Sequence, residues 1–240
     1  MGRGGQILLA AVFLTRLPLA RWLPPRVLPL GRAAWAFPLV GAAIGAVAGL
    51  PLLIGGPPLL GAVLSLALSV LLTGALHEDG LADLADAAGG RDRDTRLAIM
   101  RDSRIGSYGV MALVLTSLAR VAALGVLGPF HLMAAAAGGR AAAVLAMAAL
   151  PPARSDGLAH AAGAPGWRNV LAASGIALPV LWLAGPGWPG AMLAGLAALA
   201  LVIRQARIWL GGHSGDVLGA ASVAVETAML VGFALTAAAP

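Results

Sequence analysis

Seven runs of apolar residues decide what this chain can fold into. They lie at about 33–54, 59–76, 107–128, 132–150, 170–185, 189–203 and 217–238. Most approach the roughly 20 residues that an α-helix needs to cross a hydrocarbon core about 30 Å thick. Of the 240 residues, 60% are hydrophobic and only 11% are charged, whereas a soluble domain is about a quarter charged. A water-soluble globule, a collagen and a coiled coil are therefore excluded. The expected fold is all-α: a polytopic membrane protein of about seven transmembrane helices, forming one helical membrane domain over 1–240. The shorter run Gln6 to Leu14 is followed by Arg16 and Pro18, so it reads as an interfacial or re-entrant helix rather than a cleaved signal.

The connections alternate in character. Gly55–Pro58, Gly128–His131 and Gly185–Gly190 are short and rich in Gly and Pro. The N-terminal 32 residues and the segments 77–106, 151–169 and 204–216 are long and polar, and they hold five, five, two and two arginines, 14 of the 16 in the chain. Nine of the ten acidic residues share that side. The positive-inside rule then puts these segments in the cytoplasm and the C-terminus outside. The arginines form no basic face, so the charge of +6 belongs to the lipid bilayer and not to nucleic acid. With no cysteine and no lysine, thiolate zinc sites, Cys nucleophiles and Schiff bases drop out.

The main polar segment, 77–106, opens on His77-Glu78-Asp79-Gly80-Leu81-Ala82-Asp83-Leu84-Ala85-Asp86. Asp79, Asp83 and Asp86 fall within about a 60° arc of a helix. Such crowding repels unless a cation sits between the carboxylates. Oxygen donors without thiolates suit a hard ion, Mg²⁺ before Mn²⁺ or Ca²⁺. The competing reading is a solvated acidic helix. His77 fits a helix-end histidine packed on a carboxylate as well as it fits a ligand. Further on, Arg101 and Arg104 stand one turn apart, a spacing that lets both address a phosphate. Anchoring at lipid headgroups explains them equally well, and explains Arg91, Arg93 and Arg96 better. Gly211-Gly212-His213-Ser214-Gly215-Asp216 opens the last span, with Asp216 an N-cap or a further metal ligand. Arg120, Arg140 and Glu226 fall inside spans, where ionisable groups are costly; Glu226 is expected to pair with one of the two arginines.

These residues carry a resemblance. The chain is similar to the cobalamin synthase family, the adenosylcobinamide-GDP ribazoletransferases. The matches are Phe13-Leu14-Thr15-Arg16-Leu17-Pro18, Phe37-Pro38-Leu39-Val40-Gly41, His77 to Asp83 with Asp86, and Ile99-Met100-Arg101-Asp102-Ser103-Arg104-Ile105-Gly106. They continue with Arg140, Pro151, Arg154 and Gly157, then Gly211-Gly212, Gly215-Asp216 and Leu218-Gly219-Ala220. Ser214 stands where the family more often has Thr, and Pro151-Pro152 lacks an aromatic residue often found there.

The resemblance implies an enzyme at the cytoplasmic face of a bacterial inner membrane. It would use Mg²⁺ to join adenosylcobinamide-GDP to α-ribazole or its 5′-phosphate, releasing GMP. Glu78, Asp79, Asp83, Asp86 and Asp216 would hold the metal. Arg16, Arg101, Ser103, Arg104, Arg140, Gly212, Ser214 and Gly215 would bind substrate, and Asp102 or His77 would orient the attacking hydroxyl. Other cobalamin-assembly enzymes are expected as partners. Three alternatives fit less well. A prenyltransferase needs a second Asp motif. The Asp-Gly-x-x-Ala-Arg signature of a CDP-alcohol phosphotransferase fails, since Asp79-Gly80 is followed by Leu81-Ala82-Asp83. A transporter needs acids at mid-membrane, where only Glu226 lies.

Overall fold

A computed structural model describes residues 1–26, 28–154 and 161–237; Gly157 lies outside the described residues. The architecture is helical, and among the described residues the only β-type pairing is an isolated bridge between Pro152 and His213. Among the described residues, the helices that organise the fold are α1 (Arg3–Leu14), α2 (Phe37–Ala48), α3 (Pro58–Thr73), α4 (Leu76–Asp86), α5 (Arg93–Ile99), α6 (Ser107–Leu124), α7 (Pro129–Ala149), α8 (Trp167–Leu183), α9 (Trp188–Leu210) and α10 (Gly215–Ala237).

Each expected span has its helix. Five are long and apolar enough to cross a membrane: Ala34–Leu53 (α2 with flanking 3₁₀ turns), α6, α7, α9 and α10. The other two differ in form. α8 is apolar but 17 residues long, and α3 stops at Thr73, after which α4 departs at 90°. The chain is a multi-pass membrane protein of the all-α class.

The right-angle bend has a local cause. Gly74 (φ 65) and Ala75 (φ 57) are both left-handed, a conformation that ends a right-handed helix. Arg16 closes the elbow: its backbone N–H donates to the Leu72 carbonyl at 2.8 Å. Its side chain lies where a Cβ on residue 74 would stand, 2.2 Å from Nε. Only glycine fits there.

Two helices form the centre. α7 and α10 are 72% buried over their apolar windows, whereas α6 and α9 are 22% buried and turn Leu115, Leu118, Leu193 and Leu201 outward. Lipid provides no hydrophobic drive between helices, so close backbone approach must hold them together. α2 meets that need with Gly41 and Gly45, one turn apart. A Cβ on Gly41 would lie 2.5 Å from the Ala136 carbonyl oxygen, and one on Gly45 would lie 2.6 Å from the Met133 Cα. α1 packs beside α2 through Ala10, Leu14, Phe37 and Val40, and the Trp35 indole donates to Gln6 at 2.6 Å.

The polar connections meet at one end of the bundle. Ala153 donates to the His213 carbonyl and His213 to the Pro151 carbonyl, both at 2.8 Å, while Arg93 donates to the Leu210 carbonyl at 2.9 Å. The short connections meet at the other end, where the His131 and Phe233 rings lie 4.9 Å apart.

The glycine contact sets a prediction. Gly45→Leu should lower stability in detergent by about 1–3 kcal/mol through overpacking. Gly175→Ala, with nothing within 4 Å of the added Cβ, should leave the melting temperature unchanged or slightly raised.

Candidate active site

The acidic helix α4 lies between α6 and α10. At about 100° per residue, Glu78, Ala82 and Asp86 turn toward α6, and His77 and Gly80 turn toward α10. Asp79 and Asp83 occupy the sector between, Asp79 exposed and Asp83 half-buried. Gly80 makes the close approach possible, since a Cβ there would lie 2.6 Å from the Asp216 backbone oxygen. Asp216 of α10 is thereby brought beside the Asp79–Asp83 sector.

Asp83 records this gathering. Burial, followed by the charges of Asp216, Asp79 and Asp86, raises its carboxyl to about 7. Among the described residues, no three His, Asp or Glu side chains converge tightly enough to cage a metal ion by themselves. The donors are nonetheless all carboxylate oxygens, and their mutual repulsion is what a hard divalent cation would relieve.

Several expected site residues are used differently. Glu78 does not face the open sector: Arg120 Nη1 donates to its Oε1 at 2.8 Å. Asp86 accepts from the Gly106 N–H at 2.7 Å and the Gly109 N–H at 2.8 Å, serving the otherwise unpaired amides that open α6. His77 is 4% exposed and is held neutral by burial and by the nearby Arg140 and Arg120 charges, so it cannot reach a hydroxyl at the surface. Arg140 is buried on Glu226 Oε2. Glu226 also accepts from Arg120 Nη2 at 2.5 Å, so it pairs with both arginines rather than one.

The glycine-rich turn divides in the same way. Gly212 is packed on the 151–153 turn, with a Cβ only 2.2 Å from the Pro151 oxygen. Ser214 caps α10: its Oγ accepts from the Val217 N–H at 3.3 Å and donates to Asp216 Oδ2 at 3.1 Å. That leaves the Asp216 carboxylate in the first turn without a capping duty. Gly215 is exposed.

Beyond α4, Asp92 caps α5 by accepting from the Thr95 N–H at 2.8 Å. Arg93 reaches the carbonyls of Leu210 and Ala153, and Arg96 lies over the Trp209 ring at 5.1 Å. These two arginines dock α5 on α9 rather than serving only as lipid anchors. The helix ends at Ile99, so the three-residue spacing of Arg101 and Arg104 does not place them on one helical face. Both are exposed, as is Ser103. Arg104 Nη2 donates to Asp102 Oδ2 at 2.6 Å, with Nε also engaged at 3.1 Å. This bonding pulls the Asp102 carboxyl down to about 2. A groove of about 460 Å³ opens here, lined by Asp86, Ile99, Asp102, Arg104, Ile105 and Tyr108 among others. Tyr108, the chain's single tyrosine, was not singled out by its sequence context; its position just after the Arg-Asp-Ser-Arg motif was the available signal.

Residues 6–234 match the profile of the family described as cobalamin-5-phosphate synthase. The chain belongs to that family. Curated relatives named adenosylcobinamide-GDP ribazoletransferase include that of Bradyrhizobium diazoefficiens, 44% identical over 93% of this chain and 90% of the relative. That of Azorhizobium caulinodans is 47% identical over 85% and 84%, and that of Sinorhizobium medicae is 42% identical over 94% of each. No solved structure matches. As a member of this synthase family, the chain is a transferase of cobalamin synthesis.

The raised Asp83 carboxyl gives a signed pH effect. The folded state holds this proton more tightly than the unfolded chain, so its stabilising contribution is complete below about 4 and is lost as pH rises through about 7. In EDTA, the melting temperature should fall between pH 5 and 8, and fall less in Asp83→Asn. Equal slopes would mean that neither burial nor the neighbouring carboxylates raise the Asp83 carboxyl.

Proposed function

We propose that this protein transfers the adenosylcobinamide phosphate of adenosylcobinamide-GDP to α-ribazole or its 5′-phosphate, with Mg²⁺, at the cytoplasmic face of the inner membrane. The observation that carries this reading is the sector where Asp79 and Asp83 of α4 meet Asp216 of α10, linked through Asp86 to the groove that Asp102 and Arg104 line. Membership of the family supplies the substrates. The shared end of the arginine-rich connections supports the cytoplasmic side.

Asp79, Asp83 and Asp216 are the residues that would hold Mg²⁺. Mg²⁺ is commonly bound by one or two carboxylates plus substrate phosphates, which suits an open arrangement better than a closed cage. When bound, the ion would neutralise charge on the diphosphate as GMP departs. Arg101 and Arg104 bind phosphate oxygens, with Arg104 oriented beforehand by Asp102. Asp102 remains ionised and accepts a hydrogen bond from the ribazole hydroxyl, turning its oxygen toward phosphorus. A new P–O bond forms on the corrin-side phosphorus, the bond to the GMP phosphate breaks, and the hydroxyl proton leaves to water. The chain contributes positioning and charge, which is what phosphoryl transfer chiefly requires.

The deciding experiment is GMP release from adenosylcobinamide-GDP in detergent-solubilised protein. GMP should appear on adding α-ribazole and stop with EDTA; release that ignores either would overturn the proposal. In the same assay, Asp83→Asn should insert normally yet lose several orders of magnitude in rate. Arg104→Lys, which keeps the charge but not the planar fork, should slow turnover by about tenfold; an unchanged rate would leave that residue an anchor.

A further inference from the structure

Arg120 lies in α6, one of the most lipid-facing helices, yet its side chain is 3% exposed. Its two terminal nitrogens bond different helices: Nη1 to Glu78 of α4 at 2.8 Å, and Nη2 to Glu226 of α10 at 2.5 Å. Those are the helices that carry Asp79 and Asp83 on one side and Asp216 on the other. A guanidinium is a rigid plane, so two bonds from one fork fix both the distance and the angle between the groups it joins. Arg140 of α7 takes the second oxygen of Glu226, so the brace is seated on the central helix.

We infer that Arg120 and Glu78 are positioning residues, bracing α4 against α10 so that Asp79 and Asp83 stand at a set separation from Asp216. This rests on the reading that those three carboxylates hold the divalent ion.

Three further observations point the same way. Glu78 immediately precedes Asp79, so turning Glu78 toward Arg120 sends Asp79 about 100° away, into the open sector. Asp86 ties the other end of α4 to the Gly106 and Gly109 amides. Two ties, eight residues and about 12 Å apart, prevent α4 from rotating. Lastly, Arg120 Nε and Glu78 Oε2 are buried without a hydrogen-bond partner. Buried ion pairs can often be replaced by apolar residues without loss of stability, and leftover unbonded atoms add a cost. What an apolar pair cannot supply is a fixed spacing between α4 and α10.

The test uses the absence of native cysteines. Nitroxides attached at Ala88→Cys, in the 3₁₀ turn that directly follows α4, and at Gly215→Cys, which opens α10, both exposed positions, report the separation of the two helices by dipolar EPR. Mn²⁺ binding is titrated in parallel on protein without labels. Glu78→Gln keeps side-chain volume and leaves the Arg120–Glu226–Arg140 contacts in place. It should broaden the distance distribution and weaken Mn²⁺ binding by about tenfold, and Arg120→Lys should do the same. If Glu78→Gln fails to insert, Arg120→Lys decides.

A narrow distribution with weakened Mn²⁺ binding would overturn the inference and make Glu78 a direct ligand. A broad distribution with unchanged Mn²⁺ binding would overturn it by showing that the spacing does not matter, and no change in either measurement would overturn it as well. Absence of GMP release by the unsubstituted protein would refute the proposed reaction and leave the EPR result standing.

Discussion

A chain of alternating charges, the partly buried Glu78 and the buried Arg120, Glu226 and Arg140, joins α4, α6, α10 and α7. In a medium of low dielectric, a charge must be paired to persist, and removal of one partner from a buried pair typically costs about 3–5 kcal/mol. Apolar contacts between membrane helices tolerate sliding, because one leucine on lipid is much like another. The ion-pair chain does not tolerate it, since a shift of a few ångströms leaves a carboxylate or a guanidinium alone. Small residues such as Gly41 and Gly45 let the helices approach, and the paired charges then fix how they are registered.

The polar end of the bundle inherits that register. With Glu78 turned inward and Asp86 engaged on the start of α6, the other acids of α4 have one sector left to occupy. Gly80 admits Asp216 to its edge, and Ser214 takes over the capping of α10. Elementary helix geometry thus converts a crowded acidic sequence into a division of labour. Two acids hold the helix, Asp79 and Asp83 share the remaining sector, and a third carboxylate, Asp216, joins them from 130 residues beyond Asp86. Asp86, whose charge acts on Asp83, also lines the groove of Asp102, Arg104 and Tyr108, so carboxylate and guanidinium chemistry share one end of the bundle.

Much of this was legible in the residues. Long apolar runs announced the spans, the arginine asymmetry announced which connections gather together, and the spacing of Asp79 and Asp83 announced a shared helix face. Other placements were not legible, for identifiable reasons. His77 and Glu78 are as polar as their neighbours, and nothing local distinguishes an inward from an outward turn. Arg101 and Arg104 have helical spacing, but α5 ends before reaching them. Gly212 has the look of an anion-binding turn, yet its missing side chain serves the close contact with Pro151. The end of α3 at Thr73 depends on two consecutive left-handed residues, the second of them an alanine, and composition alone does not signal that.

By itself, the amino-acid sequence determined the membrane class, the helical character of each span, the side on which charge collects and the family. All of these depend on hydropathy, short-range periodicity or ordered motifs, which are properties of neighbours in the chain. The tertiary structure decided which charges are partners. Glu78 finds Arg120 across 42 positions, Arg140 finds Glu226 across 86 and Arg120 finds Glu226 across 106. Coulombic pairing falls off with distance, and that distance is set only when the helices dock. Which carboxylates remain for chemistry is therefore settled by packing, after the local rules have made every one of them a candidate.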